Sequence, residues 1–79
     1  MEIKILGTGC SNCKTLEKSV YIAVAEMKID AEVEKIEDIQ KIMGYGIMRT
    51  PGLVINEKVV MSGKLPSVSE LKEIIAKHQ

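Results

Sequence analysis

A chain of 79 residues, 46% hydrophobic and 28% charged, has room for one small core and the balance of a folded soluble protein, neither disordered nor membrane-dominated. Eleven basic residues offset eleven acidic ones and aromatics make up 3%, so the charge footprint and stacking platforms of a nucleic-acid binder are both missing. No window approaches the roughly 18 apolar residues of a membrane span, and no basic segment followed by a long apolar stretch opens the chain. These features predict a single domain over 1–79, a cytoplasmic location, and neither nucleic acid nor membrane as partner.

In chain order, Glu2 to Leu6 alternates and is rich in Ile and Leu, and Gly7-Thr8-Gly9 follows it, as at the tight exit of a strand. From Ser11 to about Lys28, Leu16, Val20, Ala23, Val24 and Met27 recur at spacings of three and four, the period of a helix with one packed face. Ala31 to Ile36 reads as a second strand, with Ala31 and Val33 on one face and the charges of Glu32 and Glu34 on the other, suited to a sheet edge. Ile39, Ile42 and Met43 mark a short helix ending near Gly44-Tyr45-Gly46.

Leu53-Val54-Ile55 and Lys58-Val59-Val60-Met61 are two β-rich runs separated by Asn56-Glu57, the length of a two-residue hairpin turn, although Glu is a mediocre second turn residue. Ser67-Val68-Ser69-Glu70 is a capping box after Pro66. It opens a last helix with Val68, Leu71, Ile74 and Ile75 on its inner face. The order is βαβαββα. The first two strands, joined by a helix, require a right-handed parallel crossover, and the hairpin adds an antiparallel pair. The expected fold is α/β, a four-stranded mixed sheet with helices on both faces. His78, the only histidine, falls where a frayed, solvent-facing terminus is expected. The five methionines are scattered, with core filling their expected role.

The two cysteines, Cys10 and Cys13, enclose Ser11-Asn12. Closing so short a loop stabilises a fold by only ~2 kcal/mol, against nearly 5 for about 100 residues, so the pair is poorly placed as a staple. In a reducing compartment such spacing points to chemistry. It lies where the first strand gives way to the first helix, the crevice in which sheets of this kind put their sites.

With Cys10-Ser11-Asn12-Cys13 at the start of the first helix and Thr50-Pro51 before the third strand, the chain resembles a minimal thioredoxin fold over nearly its whole length. Gly7-Thr8-Gly9-Cys10 through Cys13, with Thr50-Pro51-Gly52, is similar more narrowly to the small archaeal and bacterial thioredoxin- and glutaredoxin-like proteins called redox-active disulfide proteins. The resemblance implies a thiol–disulfide oxidoreductase without bound cofactor or metal. Its partners would be thioredoxin reductase or a similar electron donor, and protein disulfide substrates. It also implies a cis Pro51 whose loop faces the cysteines, with the Thr50 backbone pairing with an extended substrate as an added strand does.

Unpaired amides and the positive end of the macrodipole at a helix start favour a thiolate, which makes Cys10 the attacking nucleophile. A fall in pKa from about 8.5 to about 6.5 would raise the thiolate from ~3% to ~75% at pH 7, offset in part by lower nucleophilicity, and would make Cys10 a good leaving group. Cys13, nearly one turn later on the same side, is within bridging reach and more shielded, and so resolves the mixed disulfide. Ser11 and Asn12 read as partners for helix-start amides. Arg49 and Lys14 read as solvated charges or as biases toward a thiolate or anion. Tyr45 reads as groove wall or as loop packing.

Relative to larger thioredoxins, Gly9 stands where a Trp commonly precedes the first cysteine, and Ser11-Asn12 replaces Gly-Pro. The first strand offers no Asp beneath Cys13, which leaves the proton acceptor unassigned. Met61-Ser62-Gly63-Lys64 is only faintly similar to the Gly-Gly-Asp with which glutaredoxins hold glutathione, so protein disulfides are favoured. Two other readings stand beside this one. The CxxC also resembles the loop of small heavy-metal carriers and suits Cu(I), though those domains run βαββαβ. A redox-inactive adaptor on the same fold is the third.

Overall fold

Alternation in the first strand sorts its side chains to two sides of a sheet: Ile3 and Ile5 enter one core cluster and Leu6 another. In the computed structural model, which describes residues 1–9 and 11–78, the elements are β1 (Glu2–Leu6), α1 (Ser11–Met27), β2 (Glu32–Ile36), α2 (Ile39–Gly44), β3 (Gly52–Ile55), β4 (Lys58–Ser62) and α3 (Val68–Lys77). The sheet order is β2-β1-β3-β4. β1 runs parallel to β2, with Leu6 opposite Ile36, and antiparallel to β3, with Leu6 opposite Gly52. The expected βαβαββα order and mixed sheet are what the chain adopts, and this is not the βαββαβ order of the metal carriers. β2 begins one residue later than expected and is an edge, as its charges suggested.

The larger core cluster joins Ile3, Ile5, Leu53 and Ile55 of the sheet to Leu16, Val20 and Ala23 of α1 and Leu71 and Ile75 of α3. The smaller gathers Leu6, Ile36, Val54, Ile42 and Ile47 on the other face, beneath α2. Helices thus cover both faces. α3 starts on the full capping box, with Ser67 Oγ accepting from the Glu70 amide at 3.2 Å and Glu70 Oε1 accepting from the Ser67 amide at 3.3 Å. α2 is six residues long, too short to hold by propensity. Asp38 caps it, accepting from the Gln40 amide at 2.9 Å, and its single buried side chain is Ile42.

Asn56 and Glu57 both take positive φ, 50° and 68°, as a type I′ hairpin turn requires. Asn56 suits that backbone. Glu57 is held there by Lys4, whose Nζ lies 2.7 Å from Glu57 Oε1 and 3.2 Å from the Tyr45 hydroxyl. In β4 the register steps from Val59 to Met61 across Val54 and Leu53, leaving Val60 as the extra residue of a bulge.

Two expectations are corrected. Ile39 and Met43 are 56% and 67% exposed, because so short a helix turns only one position inward, and Met48, beyond that helix, is 97% exposed. Core filling therefore fails for Met43 and Met48, while Met1, Met27 and Met61 pack half-buried against the larger cluster. His78 is not frayed: it caps α3, donating its amide to the Ile75 carbonyl at 3.0 Å, and is half-buried. No helix among the described residues is long and apolar enough to cross a membrane.

Candidate redox site

β1 ends at Leu6, and α1 leaves from the same end of the sheet. At that junction Gly7 donates its amide to the Ile36 carbonyl at 3.0 Å, tying the strand exit to β2. Gly7 is buried, and a Cβ built on it would lie 2.3 Å from the Cys13 sulfur and 2.9 Å from the Cys13 Cβ. Cys13, in the first turn of α1, is 5% exposed and disulfide-bonded. It thus rests directly on the bare backbone at the strand end, the shielding expected of the second cysteine. The reading of Cys10 as nucleophile lies outside the described residues. The first turn of α1 carries no acidic side chain, so nothing there neutralises the positive end of the helix.

Antiparallel pairing of Leu6 with Gly52 brings the start of β3 to the same sheet end. The Thr50-Pro51 bond is cis, Thr50 is exposed and Pro51 is buried. The Pro51 carbonyl accepts from the Gly63 amide at 2.8 Å, which ties the loop to the end of β4. Gly63 has φ 69° and faces the stem of Arg49, whose Cβ a side chain there would approach to 3.0 Å. Arg49 is exposed, packs its stem on that glycine and makes no ion pair among the described residues. Beside Thr50, Ile39, Met43, Ile47 and Met48 line an apolar groove of about 330 Å³. Tyr45 is not in that groove: it packs half-buried against the smaller core cluster and meets Lys4.

A second cleft, about 220 Å³, reaches Cys13 and is lined also by Gly7, Gly9, Lys35 and Glu37. Lys35 sits between two carboxylates, 3.4 Å from Glu17 Oε2 and 3.6 Å from Glu37 Oε1. The hydrogen bond to Glu17, then the charges of Glu17 and Glu37, hold its ammonium above the ordinary 10.5. The sequence reading passed over this group. Its signal was the alternation of β2, which puts Lys35 on the same side as Val33, under α1. Lys14 also lines the cleft and is exposed. Ser11 and Asn12 have exposed side chains, and the Ser11 carbonyl accepts from Thr15 Oγ1 at 3.0 Å.

A family profile described as "Thioredoxin domain" matches residues 1–76. A thioredoxin of Methanothermobacter thermautotrophicus is 42% identical over 76 residues, covering 96% of this chain and 99% of that one. One of Methanocaldococcus jannaschii is 42% identical over 71 residues, covering 90% and 81%. The fold matches that of thioredoxin 1 from Thermosipho africanus with a TM-score of 0.66 at 23% identity, over 99% of this chain and 93% of that chain. With a strand end, a shielded cysteine in a helix's first turn and a cis proline gathered at one end of a four-stranded sheet, and with relatives aligned along nearly its full length, this chain belongs to the thioredoxin domain family.

Proposed function

We propose that the protein is a cytoplasmic thiol–disulfide oxidoreductase in which the whole chain acts as one redox domain, working without a bound cofactor or metal. Cys10 attacks a disulfide of a target protein, forming a mixed disulfide and releasing one target thiol. Cys13 then attacks Cys10, freeing the second target thiol and leaving Cys10 and Cys13 oxidised. A thioredoxin reductase or a similar donor returns the two electrons. Thr50 and Pro51 contact the substrate, the exposed Thr50 backbone pairing with an extended segment.

The observation that carries this reading is Cys13, buried and disulfide-bonded in the first turn of α1 against Gly7. Cys10 is the only other cysteine of the sequence, and it is the partner we assign to that bond. Relatives named thioredoxin, aligned over most of the chain, support the same chemistry. Protein disulfides, rather than glutathione, are the proposed substrates.

The test is the pH dependence of alkylation at each cysteine, followed by partner trapping with Cys13→Ser. One thiol should titrate well below about 8.5, and the variant should hold targets that the wild type releases. Two ordinary thiols and no trapped targets would remove the redox reading, and tight Cu(I) binding without disulfide turnover would replace it with metal transfer.

A further inference from the structure

Resolution of a mixed disulfide requires Cys13 to lose its proton, and β1 supplies no acid beneath it: the residues that this strand turns toward α1 are Ile3 and Ile5. The cleft of about 220 Å³ that reaches Cys13 has room for several waters at about 30 Å³ each. Two of its lining positions, Gly7 and Gly9, carry no side chain to fill it, and Ile5 closes its apolar side. Among the described residues, its charged lining consists of Lys14 from α1, Lys35 from β2 and Glu37 just beyond β2. Glu37 is therefore the one carboxylate on the cleft, and Lys35, anchored by Glu17 one turn after Cys13 on α1, lies 3.6 Å from it.

We infer that Glu37 is the proton acceptor for Cys13 during resolution, reached through water in this cleft, and that Lys35 is a positioning residue that holds it there. This rests on the redox reading above. In the step, the Cys13 thiol passes its proton through water to the Glu37 carboxylate, and the Cys13 sulfur attacks the Cys10 sulfur of the mixed disulfide. The Cys10–Cys13 bond forms as the bond from Cys10 to the target sulfur breaks. The electron pair leaves on the target sulfur, which takes a proton from solvent. The target is reduced by two electrons, the cysteine pair is oxidised by two, and Glu37 returns its proton to bulk water.

The experiment loads Cys10 with 5-thio-2-nitrobenzoate and follows release of the coloured thiolate, which reports attack by Cys13, between about pH 5.5 and 9. With Glu37→Gln, release should slow about tenfold below pH 7 and converge on the wild-type rate near pH 9, where Cys13 ionises unaided. Glu37→Asp should recover most of the loss. Alkylation of Cys10 and the thermal midpoint should not move, and Glu73→Gln, exposed on α3, serves as the unchanged control. A Glu37→Gln profile that overlays the wild type, or one slowed equally at every pH, overturns the assignment of Glu37 while leaving the redox reading intact. A wild-type adduct that never releases its thiolate overturns the redox reading itself, and this inference with it.

Discussion

Gly7 and Cys13 occupy space that one methyl group would exhaust: a Cβ at Gly7 would stand 2.3 Å from the Cys13 sulfur. Gly7→Ala must therefore push back Cys13 or the strand end that donates to Ile36. Overpacking of this kind costs about 1–3 kcal/mol, so the thermal midpoint should fall by roughly 5–15 °C in a domain this small. Gly9→Ala, with nothing among the described residues within 4 Å of its Cβ but a φ of 88°, should cost only about 1–2 kcal/mol, from backbone conformation. Calorimetry of the two variants separates crowding from strain, and a Gly7→Ala protein as stable as the wild type would show that the contact is not tight.

Leu16 of α1 and Leu71 of α3 are fully buried in the same cluster. Each Leu→Ala change should cost about 2–5 kcal/mol in urea unfolding. Because the two lie in one cluster, the double variant should fall short of or exceed the sum by more than about 0.5 kcal/mol. Strict additivity would place them in separately relaxing sites.

The hydrogen bond from Lys4 holds the Glu57 carboxyl below its ordinary 4.5, and Glu57 with Tyr45 holds Lys4 above its ordinary 10.5. A lowered acid contributes stability that is present in full above its unfolded value and is lost as pH falls through the folded one. A raised base contributes below its unfolded value and loses that contribution as pH rises past it. Stability should accordingly hold between about pH 5 and 10 and decline on both sides. Glu57→Gln should lower that plateau and flatten the acid decline, whereas Glu57→Gly trades the ion pair for relief of the positive φ. Urea titrations at several pH values distinguish the two variants.

Ser67→Ala removes the acceptor for the Glu70 amide and should cost about 1 kcal/mol. Lys28 follows α1 with φ 54°, a conformation that favours glycine. Lys28→Gly should therefore gain up to about 1 kcal/mol, with its amide still reaching the Ala25 carbonyl, now 3.3 Å away. Opposite signs in one denaturation series check both.

Peroxide should oxidise Met48 first and Met43 next, ahead of the half-buried Met27, since sulfoxide formation follows exposure. Peptide mass spectrometry over time gives the order. Oxidation of Met27 as fast as Met48 would mean that α1 opens readily.

Much of this molecule was legible in the order of its residues because the patterns are local. Alternation marked β1, three-and-four spacing marked α1, and Ser67 through Glu70 announced α3, each through bonds or faces repeated within a few positions. The cis bond before Pro51 followed from family resemblance, not from spacing. What local pattern could not rank was which apolar side chains in α2 point inward. Ile39, Ile42 and Met43 look equivalent in a six-residue helix, and only docking on Leu6, Ile36 and Val54 selects Ile42. Glu57 looked unsuited to its turn until Lys4, 53 positions away in sequence, came beside it. The surroundings of Cys13 are likewise a product of assembly. Gly7 precedes it by a few residues, but Lys35 and Glu37 arrive only because β2 pairs parallel to β1 after a full crossover. Residue order thus settled the elements and the spacing of the two cysteines, since those depend on neighbours along the chain. Tertiary structure settled the charges beside Cys13, since parallel pairing joins segments that sequence separation keeps apart.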